Sequence, residues 1–235
     1  NFDDCQRIVK QAFSDQSFLP DGYQLVAVNS INWARIMAQI VYYFYAALKF
    51  IDKNEAVSFS VPTGNFGDIY AGYLAKRMGL PIKQLIIATN KNDILHRFIS
   101  QNQYNLTGLE ASLSPSMDIM VSSNFERFIF DMFKGDTDKV SNFVTGLSST
   151  VNQVSEEEWG LAKANFDSAS VSDETTCEVI KEIQDKHGYL LDPHTVIGVK
   201  AAQLCKKDSV TPMISLSTAH PVKFSAAVEI AGLET

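Results

Sequence analysis

Cysteine is scarce and scattered in this chain. Only Cys5, Cys177 and Cys205 occur in 235 residues, with no C-x-x-C pair. That argues against a disulfide framework or a cysteine zinc site and fits reduced thiols in a cytoplasmic protein. Long apolar runs are missing as well. The most apolar helical stretch, Trp33 to Leu48, is interrupted by Arg35 and Gln39 and falls short of a membrane span. No basic run with interleaved aromatics occurs, and 20 Lys and Arg against 27 Asp and Glu give a net charge of −7. A nucleic-acid partner is therefore not expected. No signal peptide is visible. The motifs G-x-G-x-x-G, G-x-x-x-x-G-K-[ST] and G-x-S-x-G are absent. Their absence argues against a dinucleotide fingerprint, a nucleoside-triphosphate loop and a serine-hydrolase elbow. No pair of histidines has metal-ligand spacing, so no metal is expected.

What is present is a chain with 46% hydrophobic residues, enough for one large core with or without an appendage. Its most informative stretch is Val57 to Gly79, VSFSVPTGNFGDIYAGYLAKRMG. Alternation over Val57 to Val61 predicts a buried strand. Gly64 and Gly67 then bracket Asn65 and Phe66, and a helix is predicted over 68–78. Asp68 is the expected N-cap, Gly79 the residue just past the helix end, and Pro81 the stop. Glycines that allow positive φ would let successive N–H groups converge on an anion, with the helix N-terminus behind them. A single phosphate is the natural guest. Alone, however, a G-x-x-G turn reads equally well as a tight α/β connection.

Periodicity predicts α/β organisation throughout. Helices are expected over 3–13, 30–49, 68–78, 92–101, 122–133, 174–187 and 195–206, with strands over 57–61, 84–89 and 213–216. The polar stretch 135–172 is expected to form a helical appendage with mobile connections. Such alternation implies a three-layer fold, a mostly parallel sheet with helices on both faces, and ligands at the strand carboxyl ends. The Gly64 to Gly67 loop and Thr218 both fall at such ends.

The 30–49 helix carries two faces. Trp33, Ile36, Met37, Ile40, Val41, Phe44, Ala47 and Leu48 form an apolar stripe. Asn32, Arg35, Gln39 and Tyr42 form a second face, which reads either as solvated or as ligand-facing. Favouring a ligand, Asn29, Ser30 and Asn32 crowd the N-terminus, where a cap needs one such residue. Arg35, one turn in, opposes the helix dipole unless an anion offsets it. Thr218 reads as an ST-turn or as a site hydroxyl. His194 and His220 sit in loops and read more readily as structural than as catalytic residues.

These residues carry a resemblance. Ser60-Val-Pro-Thr-Gly-Asn-Phe-Gly-Asp68 is similar to the phosphate loop of threonine synthases, fold-type II enzymes that use pyridoxal 5′-phosphate (PLP). Asn1-Phe-Asp-Asp-Cys-Gln6, Val28-Asn-Ser-Ile-Asn-Trp-Ala-Arg35, Leu113-Ser-Pro-Ser-Met-Asp118, Ser122-Ser-Asn-Phe-Glu-Arg127, Leu191-Asp-Pro-His-Thr195 and Ser217-Thr-Ala-His-Pro221 resemble further blocks of that family, in family order.

The resemblance implies a tryptophan-synthase-β-like fold. It also implies conversion of O-phosphohomoserine and water to threonine and phosphate. On it, Gly64, Asn65, Phe66 and Gly67 hold the PLP phosphate, and Thr218 meets the pyridine nitrogen. Asn29, Ser30, Asn32 and Arg35 line the substrate side. Two alternatives stay open: a catalytically silent or truncated PLP- and phosphate-binding domain, and a phospho-lyase that yields a 2-oxo acid. The family's Schiff-base lysine lies in a Phe-Lys-Asp block upstream of the Asn-Phe-Asp-Asp-Cys block, so it is expected outside these residues. Lys134, in Phe-Lys-Gly-Asp, is expected to be a surface lysine. The oligomeric state stays open.

Overall fold

Strand β1 (Val57–Pro62) uses its alternation to serve two different faces. Val57, Phe59 and Val61 enter the main apolar core. Ser60, one step out of phase, turns to the other side, where its hydroxyl donates to the Gly198 carbonyl at 2.6 Å. In the computed structural model, which describes residues 2–29, 32–50, 56–148 and 152–234, β1 pairs in parallel with two strands. These are β2 (Ile82–Thr89) and β4 (Met213–Ser215). Strand β3 (Asp167–Ser170) adds to the far edge of β2, again in parallel, which gives the order β3-β2-β1-β4.

Helices cover both faces of this sheet. On one side lie α2 (Trp33–Ala47), α3 (Gly67–Arg77), α4 (Ile94–Gln101) and α5 (Phe125–Met132). They pack over Phe59, Val61, Leu85 and Ile87. On the other side Ile86, Ala88 and Ala169 meet Ile197 and Ala201 of α9 (Pro193–Cys205). The small Ser60 lets α9 come close, and Gly198 completes that approach. A Cβ there would lie 2.8 Å from Ser215 Oγ and 3.1 Å from the Pro62 ring. Helix α8 (Asp173–His187) and α10 (Ser225–Ile230) cover α9 from outside through Val179, Ile180, Val196 and Ala227.

The polar stretch expected as an appendage is more deeply built in than its composition suggests. It holds α6 (Thr137–Thr145) and α7 (Glu156–Asn165), and then β3. Ser155 caps α7 in a reciprocal capping box with Glu158. Phe143, Leu147, Val154, Ala162 and Phe166 join the main core. Strand β3, Asp-Ser-Ala-Ser, has little intrinsic strand preference and was not expected. Its pairing with 86–89 of β2 fixes it, a case of tertiary context overriding propensity.

Helix α2 corrects a second expectation. Of the predicted apolar stripe, Ile36 and Ala47 are buried, but Trp33, Met37, Val41 and Leu48 are exposed. The inward line instead includes Tyr43, whose ring meets Phe59 at 4.8 Å. A Cβ on Gly72 of α3 would lie 2.7 Å from that ring. The two helices therefore dock tightly, and this rotates Arg35 and Gln39 toward the end of β1.

Candidate active site

The strand order places a switch point between β1 and β4. From β1 the chain runs outward through β2 and β3, then returns to lay β4 on the opposite flank. In open parallel sheets that is where a crevice opens beyond the carboxyl ends. A cavity of about 410 Å³ lies beyond the carboxyl end of β1, on the side away from β4, lined by Pro62 to Asp68, by Val28, Asn29, Arg35 and Gln39, and by Ser116 and Ile119, with no β4 residue among them. Its size suits a small-molecule site.

The loop that forms its floor differs from expectation in three ways. The left-handed residue is Phe66, with φ 68° and ψ 1°, and neither loop glycine is in that region. A bulky residue tolerates this strain only when packing over-determines it. Phe66 is buried, with Phe125 at 5.0 Å and Phe166 at 5.4 Å between ring centres. Gly64 is needed for space instead: a Cβ there would lie 2.8 Å from Ile119 Cδ1 and 3.2 Å from the Ser116 carbonyl oxygen. Third, Asp68 is not the N-cap of α3. Phe66 holds that position and supplies no side-chain cap, so no side chain of the cap residue competes for the first-turn N–H groups.

Asp68 instead sits in the first turn. Its Oδ1 accepts from the hydroxyls of Tyr42, at 2.5 Å, and Tyr43, at 3.0 Å. Burial raises the Asp68 carboxyl above its ordinary range, and the two tyrosine hydrogen bonds pull it partly back. Burial and the Asp68 charge together push both tyrosines upward, so both are neutral donors at neutral pH.

Two further loops brace the cavity wall. Buried Asn90, just past β2, donates to Ser114 Oγ at 2.9 Å and to Asp118 Oδ1 at 2.8 Å, and Asn92 joins it on Asp118 at 2.9 Å. This fixes the 112–118 turn that carries Ser116. The Ser116 N–H donates to His194 Nε2 at 3.2 Å, while His194 Nδ1 meets Asp192 Oδ1 at 2.9 Å. With Nε2 accepting, the proton sits on Nδ1 and the ring is a structural link between α9 and the turn. Burial alone would raise the Asp192 carboxyl, but bonds from His194 and Thr195 hold it below its ordinary value.

The expected site residues divide as follows. Gly64, Asn65, Phe66, Gly67, Asn29 and Arg35 share the cavity, and Gln39, named earlier only as part of the second face of that helix, joins them. Arg35 is exposed and makes no ion pair among the described residues. Asn32 does not line the cavity. It caps α2, its Oδ1 accepting from Ala34 N and its Nδ2 donating to Ala27 O, so its amide is already used. Ser30 lies outside the described residues. Thr218 follows β4 but does not line this cavity. It is exposed, and its N–H donates to Thr195 Oγ1 at 3.1 Å. His220 is exposed and caps the short turn at Pro221–Phe224. Lys134 is exposed after α5 with φ 55°.

Known proteins sharpen this picture. A family model described as threonine synthase, C-terminal, matches residues 195–234. The threonine synthase of Pseudomonas aeruginosa is 58% identical over 234 residues, covering 99% of this chain and 50% of that relative. The chain belongs to the threonine synthase family. Among solved threonine synthases, the PLP-bound crystal structure from Brucella melitensis superposes with a TM-score of 0.91 at 51% identity, over 100% of this chain and 51% of that one. The yeast threonine synthase structure gives 0.86 at 44% identity, over 98% and 49%. The three-layer architecture is that of fold-type II enzymes. The chain spans about half the length of the threonine synthases it matches. No helix among the described residues is long and apolar enough to cross a membrane.

Proposed function

We propose that the protein carrying this chain is a PLP-dependent threonine synthase, acting on O-phosphohomoserine and water to give threonine and phosphate. The observation that carries this reading is the loop at the end of β1. It is a left-handed turn into a helix whose cap residue contributes no side-chain bond, and it opens on a cavity whose far wall holds Arg35. Backbone donors at a positive helix end suit a phosphate monoester. Among the described residues lining the cavity the one carboxylate, Asp68, has Oδ1 engaged by two tyrosines.

In this reading the N–H groups around Gly64, Asn65, Phe66 and Gly67 hold the cofactor phosphate. PLP supplies an electron sink for bond cleavage at the substrate's α and β carbons. Arg35 from α2 and Asn29 from the segment before it bind the phosphate of the substrate, and Ser30 belongs to the same group on the resemblance alone. The Thr218 hydroxyl serves the pyridine nitrogen; being neutral, it leaves that nitrogen without the charge partner a carboxylate would give. We place the Schiff-base lysine in the half of the relatives' length that this chain does not span. Reduced, soluble and cytoplasmic residence fits the composition.

The decisive experiment is a product assay of the complete natural protein with O-phosphohomoserine. Threonine and phosphate in equal amounts are expected. Phosphate accompanied by a 2-oxo acid instead of threonine would overturn the assignment in favour of a phospho-lyase.

A further inference from the structure

The segment Ser122 to Arg127 lies directly behind the anion loop, and its contacts fall on that loop's carbonyls. The Ser122 hydroxyl donates to the Gly64 carbonyl at 2.6 Å. The Asn124 N–H donates to the Asn65 carbonyl at 3.1 Å. The Asn124 side-chain amide donates to Asn65 Oδ1 at 2.6 Å. Behind it, Arg127 Nε donates to Asn124 Oδ1 at 3.0 Å, which fixes the orientation of that amide. Ser122 and Asn124 are buried, 1% and 2% exposed, so water does not compete for these bonds.

The consequence follows from peptide geometry. In a planar trans peptide the N–H points opposite to the C=O of the same unit. The Gly64 carbonyl shares its unit with the Asn65 N–H, and the Asn65 carbonyl shares its unit with the Phe66 N–H. Two successive carbonyls pulled toward α5 therefore turn two successive N–H bonds the other way, toward the cavity that the same residues line. Left-handed Phe66 then passes the chain into α3, whose first N–H groups continue the row.

We propose that Ser122 and Asn124, locked by Arg127, are positioning residues that set the affinity of the loop for the phosphate group of a phosphorylated ligand, and not for the rest of it. This rests on reading the cavity as a phosphate site. Neither residue touches the ligand: Ser122 holds the Gly64 carbonyl with its hydroxyl, and Asn124 holds the Asn65 carbonyl with its N–H and the Asn65 side chain with its amide. A loop without this hold keeps its sequence and its glycines but lets the two peptides rotate, which costs the phosphate its preorganised donors.

The test compares PLP with pyridoxal, which lacks the phosphate, by fluorescence titration of the complete natural protein freed of cofactor. Ser122→Ala should weaken PLP binding by about tenfold, the size of one lost hydrogen bond to a charged group, and leave pyridoxal within about twofold. Ser122→Thr, which keeps the hydroxyl, should restore PLP binding. Equal losses for PLP and pyridoxal, or no loss for either, would overturn the proposal. Should Ser122→Ala fail to fold, Ser122→Cys carries the same comparison, since the thiol fills the hydroxyl's place but donates only weakly to the Gly64 carbonyl. A PLP to pyridoxal ratio unchanged from wild type would then refute the proposal. The underlying phosphate-site reading fails separately: wild-type protein would bind pyridoxal as tightly as PLP.

Discussion

Tyr43 donates from its hydroxyl to both the carboxylate and the main-chain carbonyl of Asp68, each at 3.0 Å. One buried side chain on α2 thereby fixes the first turn of α3 and, with it, the distance between Arg35 and the Gly64 to Gly67 loop. Helix α2 and the Gly64 to Gly67 loop are held as one unit, and this makes the pair a sensitive reporter.

A pH dependence follows from Asp68. Its carboxyl is raised in the folded state by burial, so between its unfolded value and its folded value the folded protein binds the extra proton. Stability therefore falls as pH rises through that window. Asp68→Asn keeps an acceptor for both tyrosines and removes the titration. The stability of the variant relative to wild type should grow as pH rises from about 4 toward neutrality; melting curves over a pH series that run parallel for the two proteins would contradict this.

Two glycines on helices should answer alanine in opposite directions. At Gly160 of α7 a Cβ meets nothing within 4 Å, so Gly160→Ala should stabilise by up to about 1 kcal/mol through helix propensity. At Gly198 the same gain is opposed by contacts at 2.8 and 3.1 Å, where overpacking costs about 1–3 kcal/mol. Pro62 is part of a strand and cannot give way, so the loss should win. Urea titrations of both variants provide the comparison.

His194→Ala removes the link between α9 and the 112–118 turn. It leaves the Ser116 N–H without its acceptor and Asp192 without one donor. A loss of about 1–3 kcal/mol is expected, chiefly from buried Asp192, because Ser116 is exposed and water can meet its N–H. Hydrogen exchange should show faster opening of 112–118, with β1 and β2 unaffected.

Arg35→Ala should raise the KM for O-phosphohomoserine by roughly tenfold, about 1.4 kcal/mol, with PLP affinity unchanged. The magnitude is modest because Arg35 is exposed and solvent screens its charge. Steady-state kinetics beside a PLP titration separate the two effects, and normal kinetics would return Arg35 to the solvated surface.

The sequence revealed the sheet wherever the apolar pattern was strong, as in Val57 to Val61 and 84–89, the latter extended by the structure back to Ile82. It concealed β3, because Asp167 to Ser170 becomes a strand only through its partner in β2. The Gly64 to Gly67 loop was legible as a turn between strand and helix, but its internal geometry was not. The glycines drew attention for positive φ, whereas Phe66 carries it and is held by rings distant in sequence. Asn32 shows the opposite failing. Three polar residues at one helix start looked like more than a cap requires, and one of them proved to be that cap. The role of Ser122 and Asn124 had a signal, a block of polar residues matching the family, but no local rule links it to carbonyls some sixty positions away.

Strand β4 pairs with β1 from far away in sequence, Ser58 opposite Met213 and Ser60 opposite Ser215. A nascent chain emerging from the ribosome can form β1, α3 and β2 early, because those contacts are close in sequence. The β4 edge of the sheet has to wait until Met213 to Ser215 have been made. Closure of the sheet on that side of β1 is thus a late event relative to the pairing of β1 with β2, and truncated products that stop before β4 would keep the Gly64 to Gly67 loop while leaving one edge of β1 unpaired.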